Sequence, residues 1–345
     1  MKTQNWTTEE TTKLTALKAE GKTHAEIAIL LGRTKTAVDR KVDHDHISES
    51  KQLQLSHKLP PPDPGQIPLK AIDDSGWYRF GLVADTHLAC RESRLDALRA
   101  QYDLFKKEGI RCVLHAGNIV DGFVSRINGA SALVTSIDGQ AQYVVDEYPK
   151  MPGIKTYFIT GDDHEGWWQK EGFNFGAYLQ MTAEKQGRTD LRYIGHVESD
   201  VTIRRPGAEK PTVIKVQHPG GGSAYSRSYT GQQTVGSFQG GEKPAVLIQG
   251  HYHVSNYMHD RNVHVISMPG FQDQTIFARK KRLRMEIGGA ILEFKVDKQG
   301  AVTRCRVEFN MFFDRGYYKE FLPSDSVNAE RLEFTHPDHL TNYAP

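Results

Sequence analysis

Five short apolar runs in this chain each end in residues that bind divalent metals. The runs stop at Asp85-Thr86-His87, Gly117-Asn118-Ile119-Val120-Asp121, Gly161-Asp162-Asp163-His164-Glu165, Gln217-His218-Pro219 and Gly250-His251-Tyr252-His253. Singly, each has an ordinary explanation: Asp85-Thr86-His87 could cap a helix, and Gly250-His251-Tyr252-His253 could make a turn. Five in succession, each after a strand-like stretch, are better explained by a two-metal centre at the strand ends of one sheet system. Carboxylate and imidazole ligands together suit Mn²⁺ first, with Fe, Zn²⁺ or Mg²⁺ as alternatives. Two such ions about 4 Å apart can share a hydroxide at neutral pH and clamp a phosphoryl group. The chemistry expected is metal-dependent hydrolysis of a phosphoric ester. No Ser/His/Asp arrangement for a covalent intermediate is apparent.

These residues need a scaffold, and the runs before them have strand character. Residues 78–84, 112–115, 156–160, 212–216 and 245–249 are short and apolar, as buried strands are. Helical stretches lie between the early ones, for example 94–107, where Leu95, Leu98 and Tyr102 share a face. After His253 the chain is strand-rich, at 263–267, 290–296 and 302–309. His115 sits inside an apolar run and reads as a packed core histidine.

With 345 residues the chain can hold a catalytic domain and one small module. Charged residues at 25% and hydrophobic ones at 38% are an ordinary globular balance. No apolar stretch approaches the roughly 20 residues of a membrane helix, and residues 1–6 lack an apolar signal core. No membrane association is expected. The three scattered cysteines, Cys90, Cys112 and Cys305, suit a reducing compartment. A cytoplasmic location follows as the expectation, in a bacterium or a phage-infected cell. A net charge of +2 does not by itself argue for nucleic acid.

The ordered strand-end motifs resemble those of the calcineurin-like metallophosphoesterase superfamily, over roughly residues 77–310. That resemblance implies an α/β fold of two mixed sheets packed face to face and flanked by helices. It implies that Asp85, His87 and His253 hold one metal, that His218 and His251 hold a second, and that the residue at Asn118 bridges both. His164 would be the general acid, and Asp121 a supporting carboxylate. Two positions depart from the pattern. The bridging residue is normally Asp, and the family's Gly-Asn-His-Asp/Glu reads Gly161-Asp162-Asp163-His164-Glu165, with one residue extra. Aligned on His164-Glu165, Asp163 takes the place of the Asn ligand, with Asp162 as the alternative. One carboxylate is lost and one gained, so the ligand charge that two close cations require is preserved. Asn118 thus reads as a natural variant rather than an inactivating substitution.

Residues 1–46 read as three short helices. Thr7 and Glu10, then Thr23 and Glu26, have capping-box spacing. Leu14 and Leu17, then Ile27, Leu30 and Leu31, then Val38 and Val42 supply inner faces. Gly21 ends the first helix, Gly32 makes a turn, and Thr34 can cap the third helix. Trp6-Thr7-x-Glu9-Glu10, Gly21-x-Thr23-x-x-Glu26-Ile27-Ala28 and Leu31-Gly32-Arg33-Thr34-x-x-Ala37-Val38 resemble a Myb/SANT-like helix-turn-helix. In such domains the third helix lies in the DNA major groove. Here Arg33, Lys35, Arg40 and Lys41 face a single Asp39, whereas residues 1–46 as a whole carry eight Lys/Arg and seven Asp/Glu. DNA is the expected partner, with a protein-interaction module as the alternative. Residues 47–76, with Pro60-Pro61-Pro62-Asp63-Pro64-Gly65, read as a semi-rigid linker.

Three further segments bear on substrate. Tyr225, Arg227 and Tyr229, in the Gly-rich loop after His218, could stack bases and touch phosphate. Ala278-Arg279-Lys280-Lys281-Arg282-Leu283-Arg284 is the strongest basic run and could track a nucleic-acid backbone. Residues 311–345 are aromatic enough to pack on the body or on a partner, and homo-oligomerisation is left open. Three functions compete: a DNA-directed nuclease of phage or bacterial type, a phosphatase or phosphodiesterase on small nucleotides or phosphoproteins, and a catalytically weak DNA-binding regulator.

Overall fold

In the computed structural model, residues 6–20, 22–42, 75–122, 131–222, 224–241 and 243–312 are described. The chain divides into two compact units, Met1–Leu59 and Pro60–Pro345. The linker expected over 47–76 lies outside the described residues except at 75 and 76. Of the extension expected from 311, only 311 and 312 are described.

Local signals build the first unit. Both capping boxes form: Thr7 with Glu10 opens α1 (Thr8–Ala19), and Thr23 with Glu26 opens α2 (His24–Leu31). Gly32, at φ 63°, closes α2 in the left-handed conformation that glycine adopts without a Cβ clash. Ala37 N–H donates to Thr34 Oγ1, starting α3 at residues 35–42. Leu14, Ile27, Ala28, Val38 and Val42 form the core. Leu30, expected inside, is 52% exposed. In a two-turn helix either flank of the Ile27–Leu31 row can face inward, and Ala28 takes the inner position.

The second unit holds two sheets. The first runs in the order β11-β10-β1-β2-β3-β4 and contains β1 (Trp77–Val83), β2 (Cys112–Ala116), β3 (Lys155–Thr160), β4 (Leu191–His196), β10 (Gly288–Val296) and β11 (Val302–Met311). Strands β1 to β4 pair in parallel, and β10 and β11 are antiparallel additions. The second runs in the order β5-β6-β7-β9-β8 and contains β5 (Glu198–Ile203), β6 (Thr212–Gln217), β7 (Val246–Gln249), β8 (Asn256–Asp260) and β9 (Val263–Ser267). Strands β6, β7 and β9 pair in parallel. Leu82, Leu114 and Ile159 of the first sheet share one buried cluster with Ile214, Ile248 and Ile266 of the second, so the sheets pack face to face.

Helices α4 (Leu95–Lys107), α5 (Ile137–Glu147), α6 (Gly166–Lys170) and α7 (Phe175–Lys185) follow strands of the first sheet, and α8 (Tyr229–Ser237) lies between β6 and β7. The two-sheet α/β sandwich with flanking helices is the fold expected. Strands β4, β5 and β8, which the apolar pattern did not reveal, are all sheet edges. Edge strands carry charged groups toward water, and Glu198, Asp200, His259 and Asp260 break the apolar signal there. The three parallel strands β1, β2 and β3, and the two parallel strands β6 and β7, end at the residues considered next.

Candidate metal centre

Asp85, just past β1, is completely buried. Its Oδ1 is 3.4 Å from His253 Nε2 and 3.8 Å from His87 Nε2, and those two nitrogens are 3.3 Å apart. A second cluster faces it. Asp163 Oδ1 is 3.4 Å from His218 Nε2, and Asp163 Oδ2 is 3.4 Å from His251 Nδ1. The clusters meet where Asp85 Oδ1 approaches His218 Nε2 at 3.9 Å. Asn118 stands at the same junction and donates from Nδ2 to Asp163 Oδ1 at 3.0 Å. Asp85, His87 and His253 make one group able to hold a metal ion, and Asp163, His218 and His251 make another.

The strand-end turns that aim these side chains are strained. Asp85, His87, Asn118, His164, His251 and His253 all have positive φ, between 43° and 80°. A non-glycine residue there costs of order 1–3 kcal/mol, and such residues persist where packing over-determines them. Two glycines make the turns feasible. A Cβ on Gly117 would lie 2.5 Å from His218 Nδ1, and one on Gly122 would overlap the His164 backbone. Both have φ above 80°.

Backbone groups fix the rings. His218 Nδ1 donates to the Ala116 carbonyl at 2.7 Å, which turns Nε2 toward the two carboxylates. His251 Nε2 donates to the Gly221 carbonyl at 2.7 Å, which turns Nδ1 toward Asp163. An imidazole whose other nitrogen is committed in this way is prepared for metal ligation. Asp121 Oδ1 lies 3.3 Å from His87 Nδ1 and 3.6 Å from His164 Nδ1. His164 Nδ1 donates to the Asp121 carbonyl at 2.8 Å, and its ring meets His87 edge-on with centroids 4.4 Å apart.

The charges of the centre act on one another. Burial raises the Asp85 carboxyl, but the neighbouring charges of His253, His218 and His87 outweigh it and hold Asp85 below the usual carboxylate range. Asp163 is lowered too, because the imidazoles of His218 and His251, each 3.4 Å from it, outweigh burial. His218 is correspondingly raised to about 9: burial opposes its charge, and Asp85 and Asp163 restore it. Burial and the charge of His164 bring His87 down to about 4, so its ring is neutral. Three buried atoms at the junction, Asp85 Oδ1, Asn118 Oδ1 and His218 Nε2, have no hydrogen-bond partner among the described residues. A buried polar atom left without a partner costs about 1–3 kcal/mol. Two divalent cations fit this donor set. They would supply partners for the orphan atoms and replace the proton on His218.

The site residues expected from the strand ends are brought together, with Asp163 rather than Asp162 facing His218 and His251. Asp162 turns away and pairs with Lys170 at 3.1 Å. In the Gly-rich loop after His218 the three residues differ in setting. Tyr225 and Tyr229 are exposed, but the Arg227 guanidinium is engaged, 2.8 Å from Glu286 and donating to the Ser255 carbonyl. Arg33 of the N-terminal unit is engaged as well. It turns inward to pair with Glu10 at 2.9 Å and lies over the Trp6 ring, while Lys35 and Arg40 are exposed and Lys41 is half-buried. His115 is fully buried beneath the centre, 3.1 Å from Thr86 Oγ1. Trp168 packs on Phe175 in the core.

Glu165 had a motif position but no assigned task, and Gln272 carried no motif signal. Glu165 is buried, and burial raises its carboxyl to about 7. Its Oε1 accepts from Gly161 N–H at 3.0 Å and Ile119 N–H at 3.3 Å, tying the β2 and β3 turns together. Gln272 donates to Asp121 Oδ1 at 3.4 Å. Glu165 follows His164 directly, so its position was visible although its task was not.

No protein-family model and no curated protein matches the chain. Similar solved structures include an archaeal phosphodiesterase, 16% identical, covering 67% of this chain and 99% of that one with a TM-score of 0.36. YfcE, a phosphoesterase from E. coli, is 11% identical, with 66% and 98% covered and a TM-score of 0.34. A dimetal phosphatase from Danio rerio is 12% identical, with 67% and 95% covered and a TM-score of 0.37. Likenesses this distant assign neither reaction nor substrate.

Proposed function

We propose that the chain is a dinuclear-metal phosphodiesterase acting on DNA. The observation that carries this is the pair of facing Asp/His clusters joined at the orphan atoms of Asp85, Asn118 and His218. Asp85, His87 and His253 would hold one ion and Asp163, His218 and His251 the other, with the Asn118 amide oxygen available as a further ligand; Mn²⁺ suits this set. When bound, the ions activate water and neutralise charge on the phosphoryl group. The protein's own groups do the rest. His164 keeps Nδ1 on the Asp121 carbonyl, so Nε2 is the atom that holds the proton for the departing alkoxide. Asp121 sets the His87 ring through Nδ1 and stabilises charge on His164. The carboxylate of Asp163 makes up for the amide at Asn118, and the bond between them turns the amide oxygen toward the orphan groups.

Support for DNA as the substrate comes from the N-terminal unit, whose α3 offers the exposed cations Lys35 and Arg40. No helix among the described residues is long and apolar enough to cross a membrane. The test compares Mn²⁺-dependent cleavage of labelled DNA with that of bis(p-nitrophenyl) phosphate. Cleavage of both, abolished by Asp85→Asn, is the expected result. Cleavage of the small ester alone moves the substrate to small nucleotides or phosphoproteins. If neither is cut and Asn118→Asp awakens activity, the native chain is a silent binding protein.

A further inference from the structure

Beside the centre the chain makes an excursion whose feet stand on the site. Phe271 N–H donates to the Asp85 carbonyl, Gly270 N–H to the Glu286 carbonyl, and Glu286 N–H to the His253 carbonyl, each at 2.9 Å. Between these feet lies α9 (Ile276–Lys281), capped by Thr275 and closed by Arg282 at φ 56°. Ala278 is buried, and Gln274 is tied across to the Leu283 carbonyl at 3.1 Å, so the excursion has a fixed shape. Residues 274–285 contain five cations and no carboxylate. Arg279, Lys280, Lys281, Arg282 and Arg284 are all exposed. The acidic residues that flank the segment are already engaged, Asp273 by Arg94 at 3.3 Å and Glu286 by Arg227 at 2.8 Å. On the same short helix Ile276 and Phe277 are 60% and 61% exposed.

We propose that residues 274–285 bind a single strand of nucleic acid and lead it to the metal centre, an inference that rests on the phosphodiesterase reading above. Uncompensated cations take the phosphates, and an exposed aromatic ring gives an unpaired base a face to stack on. A duplex hides its base faces, so Phe277 selects for an unpaired strand. Anionic lipid would also suit cations beside apolar side chains, but the feet of this segment are the backbone of Asp85 and His253. From Gln272, which contacts Asp121, to Phe277 the chain spans at most about 18 Å. A strand lying on Phe277 is therefore a few nucleotides from the reacting phosphate.

The test measures binding of a fluorescein-labelled 20-mer oligothymidylate to the full chain in EDTA, by anisotropy across a salt series. The triple variant Arg279→Ala, Lys280→Ala, Lys281→Ala weakens binding at least about tenfold and lowers the slope of log affinity against log salt by about 2. Phe277→Ala weakens binding about tenfold and leaves the slope alone. Unchanged binding in both variants, or no binding by the native chain, overturns the proposal. So does a loss confined to phosphatidylserine vesicles, which would make the segment a lipid contact. Hydrolysis of bis(p-nitrophenyl) phosphate by the native chain tests the underlying reading separately. An active enzyme without strand binding refutes only this proposal, and strand binding lost in the variants of an inactive chain refutes only the hydrolase.

Discussion

The two units of this protein spend backbone conformation differently. In the N-terminal unit the described left-handed residue is a glycine, Gly32, and each helix start has a side-chain cap. Local preference and packing agree there, as they do where a segment has only to fold. In the second unit eleven described non-glycine residues are left-handed, and six of them are the candidate ligands Asp85, His87, Asn118, His251 and His253 and the proposed acid His164. Local preference is violated, and the two-sheet core holds the violation in place. The contrast teaches that strain is concentrated where the second unit gathers its candidate ligands, while the first unit follows local preference throughout its described residues.

Three experiments press on this contrast. The largest effect is expected at His164. His164→Ala lowers kcat by about 10²- to 10⁴-fold while Mn²⁺ uptake, read by calorimetry, remains. Loss of metal uptake as well would make His164 a ligand rather than a proton donor. Next, Leu14→Ala empties part of the N-terminal core, where Leu14 is 2% exposed. It should destabilise that unit by about 2–5 kcal/mol and leave hydrolysis of the small diester unchanged. A fall in that activity would show that the units do not work independently.

The smallest effect concerns pH. The Arg33 guanidinium, with help from the Thr7 N–H, lowers Glu10 to about 2 from 4.5. A lowered carboxyl contributes stability that is present above pH 4.5 and is lost as pH falls toward 2. Backbone amide protection across α1 and α2 should fall over that window, and Glu10→Gln should flatten the fall. The same slope in the variant would remove Glu10 from the account.

Much of this is legible in the sequence. The capping boxes were readable because cap and partner lie three residues apart. The buried parallel strands were readable because both faces are apolar, and the residues brought to the centre were readable because each ends such a strand. Edge strands β5 and β8 were not, since a strand with one solvated side loses its apolar run, and in β4 Arg192, Gly195 and His196 interrupt it. Nor were Arg33 and Arg227 legible as paired groups. A cation in sequence looks free until the fold delivers Glu10 or Glu286 to it.

Sequence alone thus determined which residues could form the centre, and the order of strands that carry them. It also set the exchange of amide and carboxylate between Asn118 and Asp163. Only the tertiary structure decided that Asp163 and not Asp162 faces His218, that Glu165 ties two turns, and that the basic segment rises from the margin of the centre. The reason is physical. Helix and strand signals act over a few residues, whereas a metal centre is assembled from turns far apart in the chain, and their meeting is fixed by the packing of two sheets.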